Sequence, residues 1–462
     1  MSDNDRGRNE AVIIGAGYAG LLAARVLADH FNRVTLIERD EITEETTYRS
    51  GIPQARHPHV MLAKGSQILE DLFPGLTAEL HARGAPVFDF GSGFRMLLPS
   101  GWAPRTELGI QVQSFTRVLL ERTIRSRVMA IPNVRLLDRR HVTGLTGGRQ
   151  ITGVLTQIRN GQTASDSLER LRADLVIDAS GRSTRLPQWL TELGYPLPKT
   201  RTVDGNLTYA SRLYRIPPGS TADWRVSAQT TFAPTIRSGA TVVAVEDRQW
   251  LTTLLGAAGR RPPTEDAEIT TYAAMLANPD LSKILTEADP ASATYRYTKL
   301  GNRWHRYGRR GHWPERLLAV GDSTCTFNPM YGQGMTIAAL EAVLLRDLLR
   351  TRCDLNGLGR RFHRRVNKML LIPWASVTSN DLGWQPGRPP PLARIIRWYF
   401  STLLACLPAD PALYRRFARV QHMLDHPRRL VAPAVLLHVL VQAIRQARTT
   451  PTALTHDTSE ET

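Results

Sequence analysis

Six residues, Gly15-Ala16-Gly17-Tyr18-Ala19-Gly20, constrain this chain more than any other stretch. Three glycines spaced GxGxxG are weak evidence on their own. Here they follow a short apolar run, Ala11 to Ile14, and lead into a helix-compatible pattern of Leu21, Leu22, Ala24, Val26 and Leu27. A second run, Val34 to Ile37, then ends in Glu38, an acidic residue about 20 positions beyond the glycines. The order strand, glycine turn, helix, strand is the opening of a parallel βαβ unit. Each glycine has a physical task in holding a dinucleotide. Gly15 permits the tight turn, Gly17 lets the backbone approach a pyrophosphate, and Gly20 lets the helix pack on the sheet. The helix N-terminus favours the phosphate charge, and Glu38 would accept hydrogen bonds from the ribose of the adenosine half.

Two further motifs follow the same logic. Leu317 to Val320 reads as a buried strand. It leads into Gly321-Asp322 and then Pro329-Met330-Tyr331-Gly332-Gln333-Gly334-Met335, at the start of a long helix from about 334 to 350. Asp322 at the strand end could accept from a sugar-like hydroxyl, and the helix N-terminus could stabilise negative charge. Asp174 to Asp178 is a third strand, running into a turn that carries Asp178 and Gly181.

In this order and at these distances, the three motifs resemble the FAD-binding fold of para-hydroxybenzoate hydroxylase and its relatives, over roughly residues 10 to 350. The resemblance implies FAD as cofactor. It implies contacts from Gly15, Ala16, Gly17, Tyr18, Ala19, Gly20, Glu38 and Arg39 in the first motif, and from Asp178 and Gly181 in the third. Asp322, Pro329, Gly332, Gln333, Gly334 and Met335 belong to the second motif. Arg117, in the helical pattern after Ser114, matches a basic residue that contacts the cofactor in such enzymes, and Gln54 and Arg56 are implied flavin neighbours. The helix that Gly332 and Gly334 open would face the flavin N1–C2 carbonyl edge. Asp178-Ala179-Ser180-Gly181 departs from the usual Asp-Gly dipeptide of single-component hydroxylases. This leaves open whether NAD(P)H reduces the flavin directly or through a separate flavin reductase.

A finer resemblance rests on the runs Gly51 to His59, Leu69 to Gly75, Asp178 to Leu190 and Asn328 to Met335. They are similar to bacterial flavin epoxidases of polyether biosynthesis and, more distantly, to squalene epoxidase. The implied activity is that of a monooxygenase in specialised metabolism. One oxygen atom from O2 would be delivered through a flavin C4a-hydroperoxide to the alkene of an apolar polyene, polyketide or terpenoid intermediate. Such a donor needs no protein nucleophile, so no catalytic side chain is assigned. Hydroxylation of an aromatic ring or polyketide, and reductive saturation of prenyl double bonds, keep the same fold and stay open. The Trp-x-Trp-x-Ile-Pro segment of flavin halogenases is not found in the sequence.

The fold class expected is mixed α/β: a Rossmann-like FAD-binding domain (1–200, completed by 306–380), an inserted β-rich substrate domain (201–305) and a helical C-terminal region with a polar tail (381–462). The stretch Gly387 to Pro391 is linker-like. The chain has 462 residues and a formal charge of +17, with arginine supplying most of the cations and only five lysines. No nucleic-acid motif accompanies that charge, so nucleic acid is not an expected partner. The three cysteines, Cys325, Cys353 and Cys406, form no CxxC pair. They suit a reducing cytoplasm rather than a disulfide framework or a zinc site. His57 and His59 lack the companions of a metal site; packing, or contact with the isoalloxazine, is expected of them. No signal peptide is read at the N-terminus, and no apolar run reaches the roughly 18–20 residues needed to span a bilayer. The two apolar segments near 392–407 and 430–446 are studded with arginine. Either they cover the core as packing helices or they lie on an anionic membrane surface.

Overall fold

The computed structural model describes residues 8–43, 48–59, 61–160, 163–298, 300–308, 313–351, 354–385, 387 and 391–449. Lys299, Cys353, residues 388–390 of the linker-like stretch and the tail from residue 450 lie outside these. A five-stranded parallel sheet organises the chain. Its spatial order is Leu317–Ala319, Leu175–Asp178, Glu10–Ile14, Arg33–Ile37, Val134–Leu137. These strands are short runs of Val, Ile and Leu because both faces of the sheet are covered. On one face the helices Tyr18–Ala28 and Gln333–Thr351 pack together through Leu21, Leu22, Ala338, Ala339 and Leu345. On the other, Val12, Val176, Leu186 and Trp189 share a core with the three-stranded antiparallel sheet of residues 140–172.

This strand order reverses direction between Glu10–Ile14 and Leu175–Asp178. Ligands of open α/β sheets bind outside the carboxyl ends of the strands at such a point. Gly15, Glu38 and Gly321-Asp322 follow the carboxyl end of a strand of this one sheet, and Asp178 is the last residue of another. Three motifs scattered over 300 positions of sequence thus meet at one edge.

A second, seven-stranded sheet has the order Tyr295–Tyr297, Thr208–Arg215, Gln249–Gly256, Ser238–Val245, Val226–Gln229, Phe94–Leu98, Gly101–Trp102. Five of its strands come from the β-rich insertion and two come from much earlier in the chain. The early strand Phe94–Leu98 pairs in parallel with Val226–Gln229, while the hairpin neighbours pair antiparallel. Two helices, Asp266–Ala274 and Asp280–Glu287, cover one face. Ile269, Tyr272, Leu281 and Ile284 press on Tyr214, Val242 and Trp250 there.

Among the described residues, five α-helices follow residue 357: Leu358–Met369, Leu371–Asp381, Pro391–Cys406, Pro411–Gln421 and Pro433–Thr449. The last three attach to the second sheet's early strands through a core of Leu98, Leu108, Ile110, Leu403, Tyr414 and Val439. His422 adds polar fastening, with its Nδ1 accepting from the Ala63 amide at 3.1 Å. No helix among the described residues is long and apolar enough to cross a membrane.

Candidate functional site

A cavity of about 860 Å³ opens at the carboxyl edge of the parallel sheet. Its wall contains Gly15, Gly17, Tyr18, Ala19, Glu38, Arg39, Gln54, Arg117, Gly181, Asp322, Pro329, Gly332, Gly334 and Met335, all singled out from sequence. Ala16, Gly20, Arg56, Asp178 and Gln333 are not on that wall. Gly20 is one layer behind, where an added Cβ would stand 2.0 Å from the Gly15 carbonyl. Asp178 is fully buried and holds its own turn, accepting from the Ser180 amide at 3.0 Å and from the hydroxyls of Ser180 and Thr184, each at 2.5 Å. The Arg56 guanidinium is held between two rings, 4.1 Å from the centroid of Tyr48 and 3.9 Å from that of Tyr295. It thereby fastens the 48–59 loop to the edge of the second sheet.

The glycines separate into two kinds. Gly15 has φ +100° and faces the Ala179 carbonyl, which an added Cβ would approach to 2.6 Å, so fold geometry alone demands glycine. Gly17 and Gly334 are different. Neither has a left-handed φ; a Cβ on Gly17 would meet only the Ile52 side chain at 3.6 Å, and one on Gly334 would meet nothing within 4 Å. Protein packing does not require glycine at either position. The space they leave lies at two helix N-termini bordering the cavity, where amide groups favour an anion.

The electrostatics suit a diphosphate. Seven arginines line the cavity (Arg39, Arg117, Arg140, Arg182, Arg185, Arg296, Arg303) against two carboxylates, Glu38 and Asp322. Burial pushes the Asp322 carboxyl above its usual range, while Arg117, Arg182 and Arg303 pull it back. The Tyr18 hydroxyl is buried with no hydrogen-bond partner among the described residues, and the Arg117 guanidinium stands 4.9 Å from that ring's centroid. A cradle that Cβ atoms would fill, an excess of cations and a partnerless buried hydroxyl together fit a dinucleotide such as FAD.

His59 lines the cavity and His57 stands behind it. The His57 carbonyl accepts from His59 Nδ1 at 2.8 Å, which fixes the proton on that nitrogen. Burial, with Arg117 next, drives the His59 pKa down to about 3. Burial, with Arg56 next, takes His57 down to about 4. Both imidazoles are therefore neutral at physiological pH. His57 Nδ1 and the Ser211 hydroxyl are 2.6 Å apart, which ties the loop to the second sheet. Cys325 is buried, and burial raises its thiol pKa well above the usual value, so the thiolate is disfavoured. Among the described residues no group of His, Cys, Asp and Glu could hold a metal.

Sequence reasoning missed three residues of this site. Arg49 is buried and bridges two carboxylates, Glu38 Oε2 at 3.1 Å and Glu121 Oε2 at 2.7 Å. Glu121 Oε1 in turn accepts from Arg117 Nε at 2.6 Å and from the Tyr18 amide at 3.3 Å. The Glu38 carboxylate also accepts from the amides of Ala16 (2.9 Å), Arg39 (2.9 Å) and Asp40 (3.1 Å). A ribose hydroxyl would meet a carboxylate already serving four donors, so the attraction would come from charge more than from a vacant lone pair.

The third missed residue is Glu341, in the apolar helix Gln333–Thr351. It is 1% exposed, accepts from the Gly321 amide at 2.6 Å through Oε2, and leaves Oε1 without a partner among the described residues. Burial raises its pKa to about 8, with Asp322 contributing in the same direction. Such an acid keeps its proton in the fold while the unfolded chain releases it, so its contribution to stability falls as pH rises from about 4.5 to about 8 and is flat beyond. Glu341→Gln, which keeps an acceptor for Gly321, should remove a slope approaching about 1.4 kcal/mol per pH unit in that window. Melting curves of flavin-saturated wild type and variant should converge at acid pH and separate toward pH 8. Parallel curves would show that Glu341 ionises normally.

Comparison with known proteins agrees with this geometry. The family model for FAD-dependent oxidoreductases (DAO) matches residues 10–94. The chain is 25% identical over 373 residues to kynurenine 3-monooxygenase of Salinispora arenicola, covering 76% of this chain and 74% of that one. It is 24% identical over 361 residues to squalene monooxygenase SE2 of Panax ginseng, covering 75% and 59%. Among solved structures, a flavoprotein/dehydrogenase from Cytophaga hutchinsonii superposes with a TM-score of 0.68 at 14% identity, over 95% of this chain and 99% of that one. Fold, site and relatives define an FAD-dependent oxidoreductase with flavin monooxygenases among its homologues. Within that class the likeness to one protein runs through nearly the whole chain: 34% identity over 434 residues, 90% of each, with Protein Rv3254 of Mycobacterium tuberculosis. The chain belongs to the family of that protein.

Proposed function

We propose that this oxidoreductase is a monooxygenase that epoxidises an alkene of an apolar polyene, polyketide or terpenoid intermediate. The observation that carries this reading is the apolar and aromatic part of the cavity wall, and the state of His59, Tyr18, Tyr297 and Glu38 is consistent with it. Hydroxylation of a phenolic ring calls for a base poised near neutral pH to ionise the substrate. Here His59 is held down to about 3, and burial raises the Tyr18 and Tyr297 hydroxyls above their usual range. Glu38 is already engaged by four donors. Epoxidation needs no such base. The apolar and aromatic side chains of Ile52, Pro53, Tyr297, Phe327 and Met335 suit a hydrocarbon. The relationship to a squalene monooxygenase points the same way.

In this reading residues 1–200 and 306–380 hold the cofactor, residues 201–305 cover the substrate, and residues 381–462 are a C-terminal region, helical in its described part, that ends in a polar tail. Bound FAD supplies the electrons and activates O2. Gly15, Gly17 and the helix N-terminus at Tyr18 receive the diphosphate, with Arg117 supplying charge. Asp322 would hold the ribityl chain, and the helix that begins at Gln333 would offer its N-terminal amides to negative charge on the reduced ring. Reduction by NAD(P)H, directly or through a flavin reductase, completes the cycle. Contact with a lipid surface through the C-terminal helices belongs to the same reading, because such a substrate partitions into lipid.

The test is oxygen uptake by the reduced, FAD-loaded protein with a linear isoprenoid alkene as probe, followed by NMR of the product. Uptake with epoxide resonances is the expected result. Ring or chain alcohols would assign hydroxylation, and saturation of the alkene without oxygen uptake would assign a reductase.

A further inference from the structure

The helices Pro391–Cys406 and Pro433–Thr449 are apolar on two sides. Their inner sides supply Leu403, Cys406, Val435 and Val439 to the core that joins them to the second sheet. Their outer sides carry Leu392, Ile395 and Trp398 on the first helix and Leu437, Leu440 and Ile444 on the second, with Leu392 and Leu437 68% and 64% exposed. On the second helix these positions, with Val441, are spaced i, i+3, i+4, i+7, a continuous stripe. A helix that only covers a core turns polar residues outward; one that is apolar all round needs a second apolar environment.

The charge of this region of the chain bears on that environment. Residues 391–449 contain nine arginines and two aspartates, with no lysine or glutamate. Both aspartates are engaged: Asp410 caps the helix Pro411–Gln421 by accepting from the Leu413 amide at 2.8 Å, and Asp425 pairs with Arg419 at 2.8 Å. Arg394, Arg415, Arg416, Arg428 and Arg429 are exposed. A second copy of the chain would bring the same positive field against this one, which opposes self-association. Residues 450–462 offer only Pro451, Ala453 and Leu454 as apolar side chains, too few to cover two stripes.

We propose that this face docks on an anionic phospholipid bilayer. The outer stripes enter the boundary between headgroups and acyl chains, and the arginines meet the lipid phosphates. The proposal deepens the reading of an apolar substrate, since the same helices pack on strands of the second sheet and would bring that sheet close to the lipid.

Sedimentation of the full chain with phosphatidylcholine vesicles, with and without phosphatidylglycerol, tests it. Binding is expected with phosphatidylglycerol, weakening at least about tenfold without it or at high salt. The double variant Ile395→Ser with Leu437→Ser should lower affinity by about tenfold or more while retaining FAD and the wild-type circular dichroism. Should the variant lose its fold, Trp398 reports instead: its fluorescence, isolated by difference from Trp398→Phe, shifts to the blue on anionic vesicles. Two outcomes overturn the proposal. One is equal binding to both vesicle types or to neither. The other is a dimer by light scattering that Leu437→Ser dissociates while vesicle binding is absent. Oxygen uptake and product analysis in detergent are independent of this surface. Epoxidation without vesicle binding would therefore sink the docking face alone, and vesicle binding without epoxidation would sink the substrate reading alone.

Discussion

Replacing Gly17 with valine is expected to give a folded protein whose FAD affinity is lower by on the order of 100-fold. The backbone tolerates the change: φ is −81° and ψ −175°, which a β-branched residue adopts readily. The protein also has room, since the nearest atom to a new Cβ is the Ile52 methyl at 3.6 Å. What valine takes away is the space in front of the helix N-terminus that the diphosphate would enter. Purified Gly17→Val should show wild-type circular dichroism and little flavin absorbance, and titration with FAD should confirm weak binding. Full flavin occupancy would place the cofactor elsewhere. A Gly15→Val comparison sharpens the point. There the positive φ and the Ala179 carbonyl make the substitution a folding defect, so the two variants should fail differently.

Arg49→Met should destabilise the protein by about 3–5 kcal/mol, the usual consequence of removing one partner from a buried ion pair. Arg49 stands between Glu38 and Glu121, whose side chains are 9% and 7% exposed. Without it two buried carboxylates face each other with Arg117 as the remaining close cation on Glu121. Arg49→Lys should recover only part of the loss, since a single ammonium does not reproduce the planar fork that reaches both carboxylates. The unfolding midpoint in urea of the FAD-saturated proteins measures this. A loss under about 1 kcal/mol for the methionine variant would mean that water or side-chain rearrangement replaces the bridge.

The two substitutions also mark what could be read in the sequence. The glycine motif was legible because its constraint is local. A turn that leaves a strand, approaches a neighbouring backbone and opens a helix admits few residue types, and Gly15, Gly17 and Gly20 sit within six positions. The strands Leu175–Asp178 and Leu317–Ala319 were legible as short apolar runs, because a strand buried on both faces has no polar alternation to hide it. Arg49 and Glu121 were not. They are 72 positions apart in loop and helix, and nothing in either segment marks a buried charge; an arginine among many looks solvated until its carboxylate is found. Glu341 was hidden for a related reason. It is one of two acids, with Asp347, in a 19-residue helix and reads as an ordinary outward-facing residue; only packing shows that it points at Gly321.

From its sequence the insertion reads as sheet-rich, and in the structure its strands outnumber its helices. Its two helices were missed because Asp266–Ala274 and Asp280–Glu287 are 9 and 8 residues long, too short for a clear helical period beside strong strand signals. The strand Phe94–Leu98 was missed because its partner, Val226–Gln229, is over a hundred residues away, and pairing at that range leaves no local trace.

That parallel pairing bears on anyone who would recombine this enzyme with a relative. Crossover points at the visible borders of the insertion would transplant five strands and leave the other two behind. The recipient would have to supply a foreign edge for Val226–Gln229, along with whatever helical layer its own early strands carry. A chimera that also moved residues 94–102 and the helices packed on them would keep the sheet and its support from one parent. Shuffled libraries built on the first scheme should be poor in folded members, and those built on the second, richer.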